Sequence, residues 1–274
     1  MKIDYHTHHD RCGHAQGSLR DMIESAIRLG LDQIGLSDHS PFFNREEDHP
    51  VPGMTMAKSE FALYVEEMVR LRDEYRGRID VRLGVESDYF HGWAEEYGRI
   101  YAGYPLDYIM GSVHYLNGNG FHVFSPKLWK QEGLQIEKTY SSYIRLIQEA
   151  ARCGQFDILG HMDAVKGLNI LPEGNLHELW DVTARIIADA DIAVEINSSG
   201  LRKPCGSWFP SIEIIERLVS LKVPLTFGSD AHAPEQLAYE LQRVTDTVRE
   251  LGVREWATFQ RRRRIMVPLP SRML

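Results

Sequence analysis

The sequence is poor in cysteine: Cys12, Cys153 and Cys205 are an odd number without CxxC spacing. That excludes a disulfide framework and a cysteine-based zinc site, and leaves reduced thiols as the expectation. No run of about 18 apolar residues is present, so no segment is expected to span a bilayer. The N-terminus lacks the succession of charged, apolar and small residues of a signal peptide, and Asp4 and His6 would spoil one, so a cytoplasmic location is the expectation. Positive charge is also scarce. Against 39 Asp and Glu stand 31 Lys and Arg, and the formal net charge of -8 argues against a general nucleic-acid surface while leaving a small anionic substrate open. Neither an internal repeat nor a domain boundary stands out, so residues 1–274 are read as one domain.

What is present is an alternation of apolar strands with amphipathic helices. Seven strand-like segments run over Lys2 to His6, Gln33 to Ser37, Asp80 to Glu86, Tyr108 to His114, Phe156 to His161, Ala193 to Asn197 and Pro224 to Ser229. Helical patterns lie between and after them, at Ser18 to Leu29, Lys58 to Tyr75, Gly92 to Tyr101, Ile136 to Arg152, Leu176 to Asp189, Ser211 to Leu221 and Pro234 to Leu251. This order implies right-handed βαβ units and a parallel sheet, and seven units suggest a closed or nearly closed barrel.

Each strand ends in polar residues able to do chemistry: His6/His8, Ser37-Asp38-His39, Glu86-Ser87-Asp88, Ser112-Val113-His114, Gly160-His161-Met162-Asp163, Glu195-Ile196-Asn197 and Gly228-Ser229-Asp230-Ala231-His232. In a parallel barrel all strand C-termini share one mouth, where catalytic groups gather. Of the 12 histidines, His6, His8, His14, His39, His114, His161 and His232 fall at or just beyond strand ends. His9, His49, His91, His122 and His177 are expected to be ordinary surface imidazoles. Clustering seven imidazoles without purpose would be penalised by desolvation and by repulsion on protonation. Metal binding removes that penalty, because imidazole and carboxylate are ligands of zinc, manganese and iron. Seven histidines with Glu86 and Asp230 exceed one tetrahedral site, so two or three neighbouring metals are expected, with Glu86 bridging. Such a pair holds a bridging hydroxide suited to in-line displacement at phosphorus.

Seven motifs in order carry a resemblance to a known family: His6-Thr7-His8 with Cys12-Gly13-His14, Ser37-Asp38-His39, Gly84-Val85-Glu86-Ser87-Asp88-Tyr89, Ser112-Val113-His114, Gly160-His161, Asn197-Ser198-Ser199-Gly200-Leu201-Arg202-Lys203 and Gly228-Ser229-Asp230-Ala231-His232. The chain resembles the polymerase and histidinol phosphatase (PHP) superfamily and, within it, the histidinol-phosphate phosphatases. The resemblance implies a distorted (β/α)7 barrel holding three divalent metal ions of zinc, iron or manganese. The first would take His6, His8, Glu86 and Asp230, the second Glu86, His114 and His161, and the third His14, His39 and His232. It also implies hydrolysis of L-histidinol phosphate, with another small phosphomonoester or nucleic-acid ends as the alternative substrate.

The stretch from Asn197 to Lys203 is similar to a run in that subfamily, and it supplies the expected substrate contacts Asn197, Arg202 and Lys203. An arginine offers a planar fork for phosphate and a lysine a point charge, so Arg202 is the expected phosphate clamp. Asp38 and Asp163 are the candidate proton donors to the leaving group, with Asp38 also readable as a partner that orients a ligating imidazole. Long loops at Pro41 to Met56 and Asn117 to Gln135 leave the same mouth and are read as rims that select substrate. Asp88, Asp163 or Glu46 would meet the substrate ammonium, and Phe42, Phe43 or Trp208 its imidazole. The run Arg261 to Arg264 is expected at a solvated strand edge, from which one arginine could reach a phosphate.

Overall fold

The computed structural model describes residues 1–116 and 120–271. The barrel is built from short parallel strands: β1 (Ile3–Asp4), β2 (Gln33–Leu36), β3 (Asp80–Leu83), β4 (Glu86–Asp88), β5 (Met110–Ser112), β8 (Ile158–Leu159), β9 (Ala193–Asn197) and β10 (Leu225–Gly228). Between β5 and β8 a small antiparallel pair, β6 (Tyr115–Leu116) and β7 (Phe121–His122), rises from the rim. Gly118 of the second long loop lies outside the described residues.

Hydrogen bonding runs β1-β2-β3 in one group and β4-β5-β8-β9-β10 in the other. The expected strand Asp80 to Glu86 is therefore interrupted at Gly84-Val85, where it changes its main partner. Backbone bonds bridge that seam on both sides, Gly84 N to Leu36 O (2.8 Å) and Met110 N to Val85 O (2.9 Å). A Cβ on Gly84 would lie 2.2 Å from Tyr108 Cζ, so glycine is needed where that ring crosses the barrel interior. The other seam closes through Tyr5 N to Phe227 O (2.9 Å) and His8 N to Ala231 O (2.8 Å). Counting β3 and β4 as one staggered position gives seven strands, the distorted (β/α)7 barrel expected.

The helices cover the outside with one apolar face each. In α1 (Leu19–Arg28) the buried Leu19, Met22, Ile23 and Ala26 recur at helical spacing, and Ser18 and Asp21 form a reciprocal capping box at its start. α2 (Lys58–Glu74) buries Phe61, Tyr64, Val65, Met68 and Leu71 in the same way. One contiguous core extends from Ile3 to Phe259. Among the described residues no helix is long and apolar enough to cross a membrane.

The last segment departs from expectation. Residues Glu255–Gln260 (β11) and Arg263–Pro268 (β12) form an antiparallel hairpin under the barrel, joined at Arg261 and Arg262, which have φ of 49° and 62°. Two left-handed residues in succession make the tight turn that matches strand twist. Arg261, Arg262 and Arg263 are exposed, as a solvated edge requires, but the run is also partly paired: Arg262 pairs with Asp157, and Arg264 Nη2 donates to Asp191 Oδ1 at 2.6 Å. The hairpin carries buried Trp256 and offers Phe259 N to the Tyr5 hydroxyl at 3.1 Å, closing the end of the barrel away from the histidines.

Candidate metal centre

Strand direction brings every expected ligand to one end. His6 and His8 leave β1 two residues apart, with ring centroids 5.0 Å apart. Glu86, the first residue of β4, is the hub. Its Oε2 lies 3.4 Å from His6 Nε2, 3.6 Å from His8 Nε2 and 2.9 Å from His39 Nδ1. Its Oε1 lies 2.9 Å from His161 Nε2 and 3.6 Å from His114 Nε2. Asp230 Oδ1 is 3.2 Å from His8 Nε2 and 3.7 Å from His6 Nε2. The cluster continues outward through His232, stacked on His8 at 4.1 Å, to His14, whose Nε2 is 3.0 Å from His232 Nε2. His6, His8 and Glu86 form one compact group, while His39 groups with Glu86 and His114 and also with His8 and His232, so it stands closer to Glu86 than a separate outer set would place it.

The electrostatics suit cations. Burial opposes ionisation of Glu86, yet His6, His39 and His114 outweigh it and hold the carboxyl well below the usual range. Asp230 is likewise held well below its usual range against burial, chiefly by His6 and His8. Burial, then His39 and His8, push His14 down to about 4, and burial and His8 push His232 down to about 2, so both are neutral donors at neutral pH. His6 Nε2, His8 Nε2 and Glu86 Oε2 are buried without a hydrogen-bond partner. Each such orphan costs ~1–3 kcal/mol, and a divalent cation among them would satisfy all three. The residues present therefore fit a metal centre.

Behind the donors, carboxylates fix the imidazoles. Glu195 Oε1 lies 2.7 Å from His6 Nδ1, Asp38 Oδ1 3.2 Å from His8 Nδ1, and Asp88 Oδ1 3.0 Å from His114 Nδ1. Such partners set the tautomer and turn the other nitrogen toward a metal. A Cβ on Gly228 would lie 1.9 Å from Glu195 Oε1 and 2.6 Å from His6 Cβ, so only glycine lets β10 pass this pair.

Several expected roles change. Of the two readings of Asp38, proton donor or orienting partner, its contacts favour the second: it receives His8, His9, Cys12 N and His39 N, and against burial these imidazoles keep it well below the carboxylate range. Asp163 does not line the cavity beside the donors; it accepts from Lys166 Nζ at 2.6 Å and Ser211 N at 2.9 Å. Asn197 is fully buried, bracing Glu195 Oε2 (3.1 Å) and Asp230 Oδ2 (3.4 Å) from behind instead of facing substrate. Asp88 is committed to His114. Two supposed surface imidazoles are neither exposed nor idle: His9 is buried against Asp38, and His122 stacks on His114 with rings 6° from parallel.

A cavity of about 310 Å³ opens over the cluster. Arg202, Lys203, Met54, His122 and Phe124 line it together with donors of the cluster, and Lys203 Nζ lies over the Phe124 ring, 5.0 Å from its centroid. Met54 comes from the first long loop and His122 and Phe124 from the second, so both rims reach the mouth as their positions suggested. Phe42, Phe43 and Trp208 do not line it; Phe42 packs against Phe90 and Tyr115, and Phe43 against Phe61 and Tyr97. Arg202 Nη2 donates to Ser229 O (2.9 Å) and Asp230 O (3.1 Å), which ties the arginine to the loop that carries a ligand.

A parallel barrel with a polynuclear donor cluster at its C-terminal mouth defines a class of metal-dependent hydrolases. The PHP domain family model matches residues 4–199, and the chain belongs to that family. It is 31% identical over 261 residues to a "Probable histidinol-phosphatase" of Deinococcus radiodurans, covering 95% of this chain and 97% of that protein. It is 28% identical over 259 residues to the histidinol-phosphatase of Bacillus subtilis, covering 87% and 96%. In fold it is similar to the crystal structure of histidinol phosphate phosphatase from Lactococcus lactis complexed with zinc, L-histidinol and phosphate, with a TM-score of 0.80, 20% identity, and 96% and 98% of the two chains covered.

Proposed function

We propose that this protein hydrolyses L-histidinol phosphate to L-histidinol and phosphate, as a cytoplasmic metal-dependent phosphomonoesterase of histidine biosynthesis, with residues 1–274 acting as one catalytic unit. The observation that carries the proposal is the convergence of seven imidazoles, Glu86 and Asp230 beneath a cavity flanked by Arg202 and Lys203. The family and the names of its relatives support the same substrate.

His6, His8, Glu86, Asp230, His114, His161, His39, His14 and His232 would hold the divalent cations. Bound there, such ions act as Lewis acids on phosphoryl oxygens and lower the pKa of water. Arg202 and Lys203 hold the phosphate and offset its charge. Phe124, His122 and Met54 form the wall on which the substrate imidazole rests, and burial together with His114 pushes His122 down to about 3, leaving it an uncharged surface at neutral pH. Glu195, Asp38 and Asp88 keep His6, His8 and His114 in the tautomers that present their Nε2 atoms. A cavity of this size on a chain of net charge -8 favours a small monoester over nucleic-acid ends.

The test is phosphate release from L-histidinol phosphate against a panel of other monoesters and a labelled single-stranded DNA, with elemental analysis of the same sample. A kcat/KM for L-histidinol phosphate no higher than for the panel would overturn the substrate, and full activity in metal-free protein would overturn the metal dependence.

A further inference from the structure

A second concave site lies at the opposite end of the barrel, where strands begin. It has a volume of about 560 Å³, and five of the residues lining it are Arg72, Arg76, Arg78, Arg82 and Arg261. On a chain with eight more acids than bases this concentration is anomalous. Among the described residues the acids in the wall are Asp80 and Asp107. Asp107 is already occupied, accepting Leu83 N at 3.0 Å and Arg261 N at 2.9 Å, while Asp80 pairs with Arg82 and accepts Gln33 Nε2 at 3.1 Å. Arg76 and Arg78 reach outward to Asp73 (2.7 Å) and Glu24 (3.3 Å).

The remaining donors have little to bind. Arg82 has a side chain only 11% exposed, and its Nε is buried without a hydrogen-bond partner. Among the described residues Arg72 comes no nearer to an acid than 4.0 Å from Asp73. Among the described residues Arg261 has a backbone bond to Asp107 and no partner for its guanidinium. Five guanidinium groups around one cavity, with Arg72 and Arg261 lacking a close acid, repel one another, and a multiply charged oxyanion relieves that repulsion while filling the planar N–H forks.

We propose that this cavity binds a small, multiply charged anion of the phosphate class, at a site separate from the metal centre. The concave shape selects one small molecule instead of a polymer surface, and the acidic remainder of the chain would repel a nucleic acid. The arginine that the sequence pattern marked as able to reach a phosphate is accordingly Arg261, held at the hairpin turn.

The experiment is a calorimetric titration of inorganic phosphate into the metal-loaded protein at low ionic strength, with the parent and the double variant Arg72→Gln/Arg261→Asn. Two classes of site are expected in the parent. The double variant should lose one class, or weaken it tenfold or more, with kcat/KM at the metal centre unchanged. The proposal is overturned if the double variant keeps both classes at unchanged affinity, or if the parent has a single class that a phosphomonoester displaces. A measurement without substitutions guards against misfolding. Phosphate should slow phenylglyoxal modification of Arg72 and Arg261, read by mass spectrometry, relative to exposed Arg28; equal rates with and without phosphate also overturn it.

Discussion

Replacing Glu195 by Gln tests whether the imidazoles are set by their carboxylate partners. Glu195 is fully buried and accepts at both oxygens: Oε1 faces His6 Nδ1 at 2.7 Å, while Oε2 receives His161 N at 2.8 Å and Asn197 Nδ2 at 3.1 Å. The amide of Gln has nearly the same shape but only one acceptor oxygen. If that oxygen faces His6, the NH2 group meets two donors, His161 N–H and Asn197 Nδ2. If it faces them, the NH2 group points at His6 Nδ1, which must then accept, so the proton moves to Nε2 and blocks the nitrogen that lies 3.4 Å from Glu86. Either arrangement weakens metal retention. A lost partner of this kind costs about 10–100-fold in metal affinity or activity, equivalent to about 1.4–2.7 kcal/mol. Chelator competition followed by elemental analysis, alongside phosphate release, measures both. Unchanged metal retention and an unchanged rate in a folded Glu195→Gln protein would refute the tautomer argument.

Arg202→Ala should lower kcat/KM by about 10²–10³, the loss typical of a donor to developing charge; if bound metal falls in parallel, the arginine acts by bracing the Asp230 loop and not by holding phosphate. Phe124→Ala should raise KM for L-histidinol phosphate while leaving a small aliphatic monoester within about twofold, since an apolar wall discriminates by ~1–3 kcal/mol; equal effects on both would remove the wall from substrate selection. For pH, His8 and His114 stand at about 9 in the metal-free protein: burial lowers each, but Asp230, Asp38 and Glu86 outweigh it for His8, and Asp88 and Glu86 for His114. Both are therefore protonated at pH 7 and must lose protons to ligate, so metal binding should release protons at pH 7, and less as pH rises through 9. By the same linkage, their contribution to metal-free stability is complete below the unfolded value of about 6.5 and is lost as pH rises through 9. Calorimetry in two buffers of different ionisation enthalpy checks the release, and a value near zero at pH 7 contradicts the assignment.

The donor set was legible in the linear chain because a parallel barrel delivers every strand end to one mouth, so local periodicity alone predicts which residues meet. His6 and His8 follow from two-residue spacing, and Glu86, His114, His161 and Asp230 from position at or just past an apolar run. Of what holds those donors only Asp38 was legible, as a partner able to orient an imidazole; the other partners lie far off in sequence, Glu195 189 residues from His6 and Asp88 26 from His114. Glu195 left one signal, its two-residue spacing from Asn197 at a strand end. His9 and His122 look like any surface histidine in sequence, and only the packing of Asp38 and His114 against them sets their roles. The arginine run shows the same division. Its charge is a property of sequence, but whether each guanidinium is paired or free depends on the turn at Arg261 and Arg262, which directs one side chain to Asp157 and leaves the other beside Arg72 and Arg82. Chemistry that depends on residue type and local period is written in the chain, whereas pairing depends on distances that only the closed barrel creates.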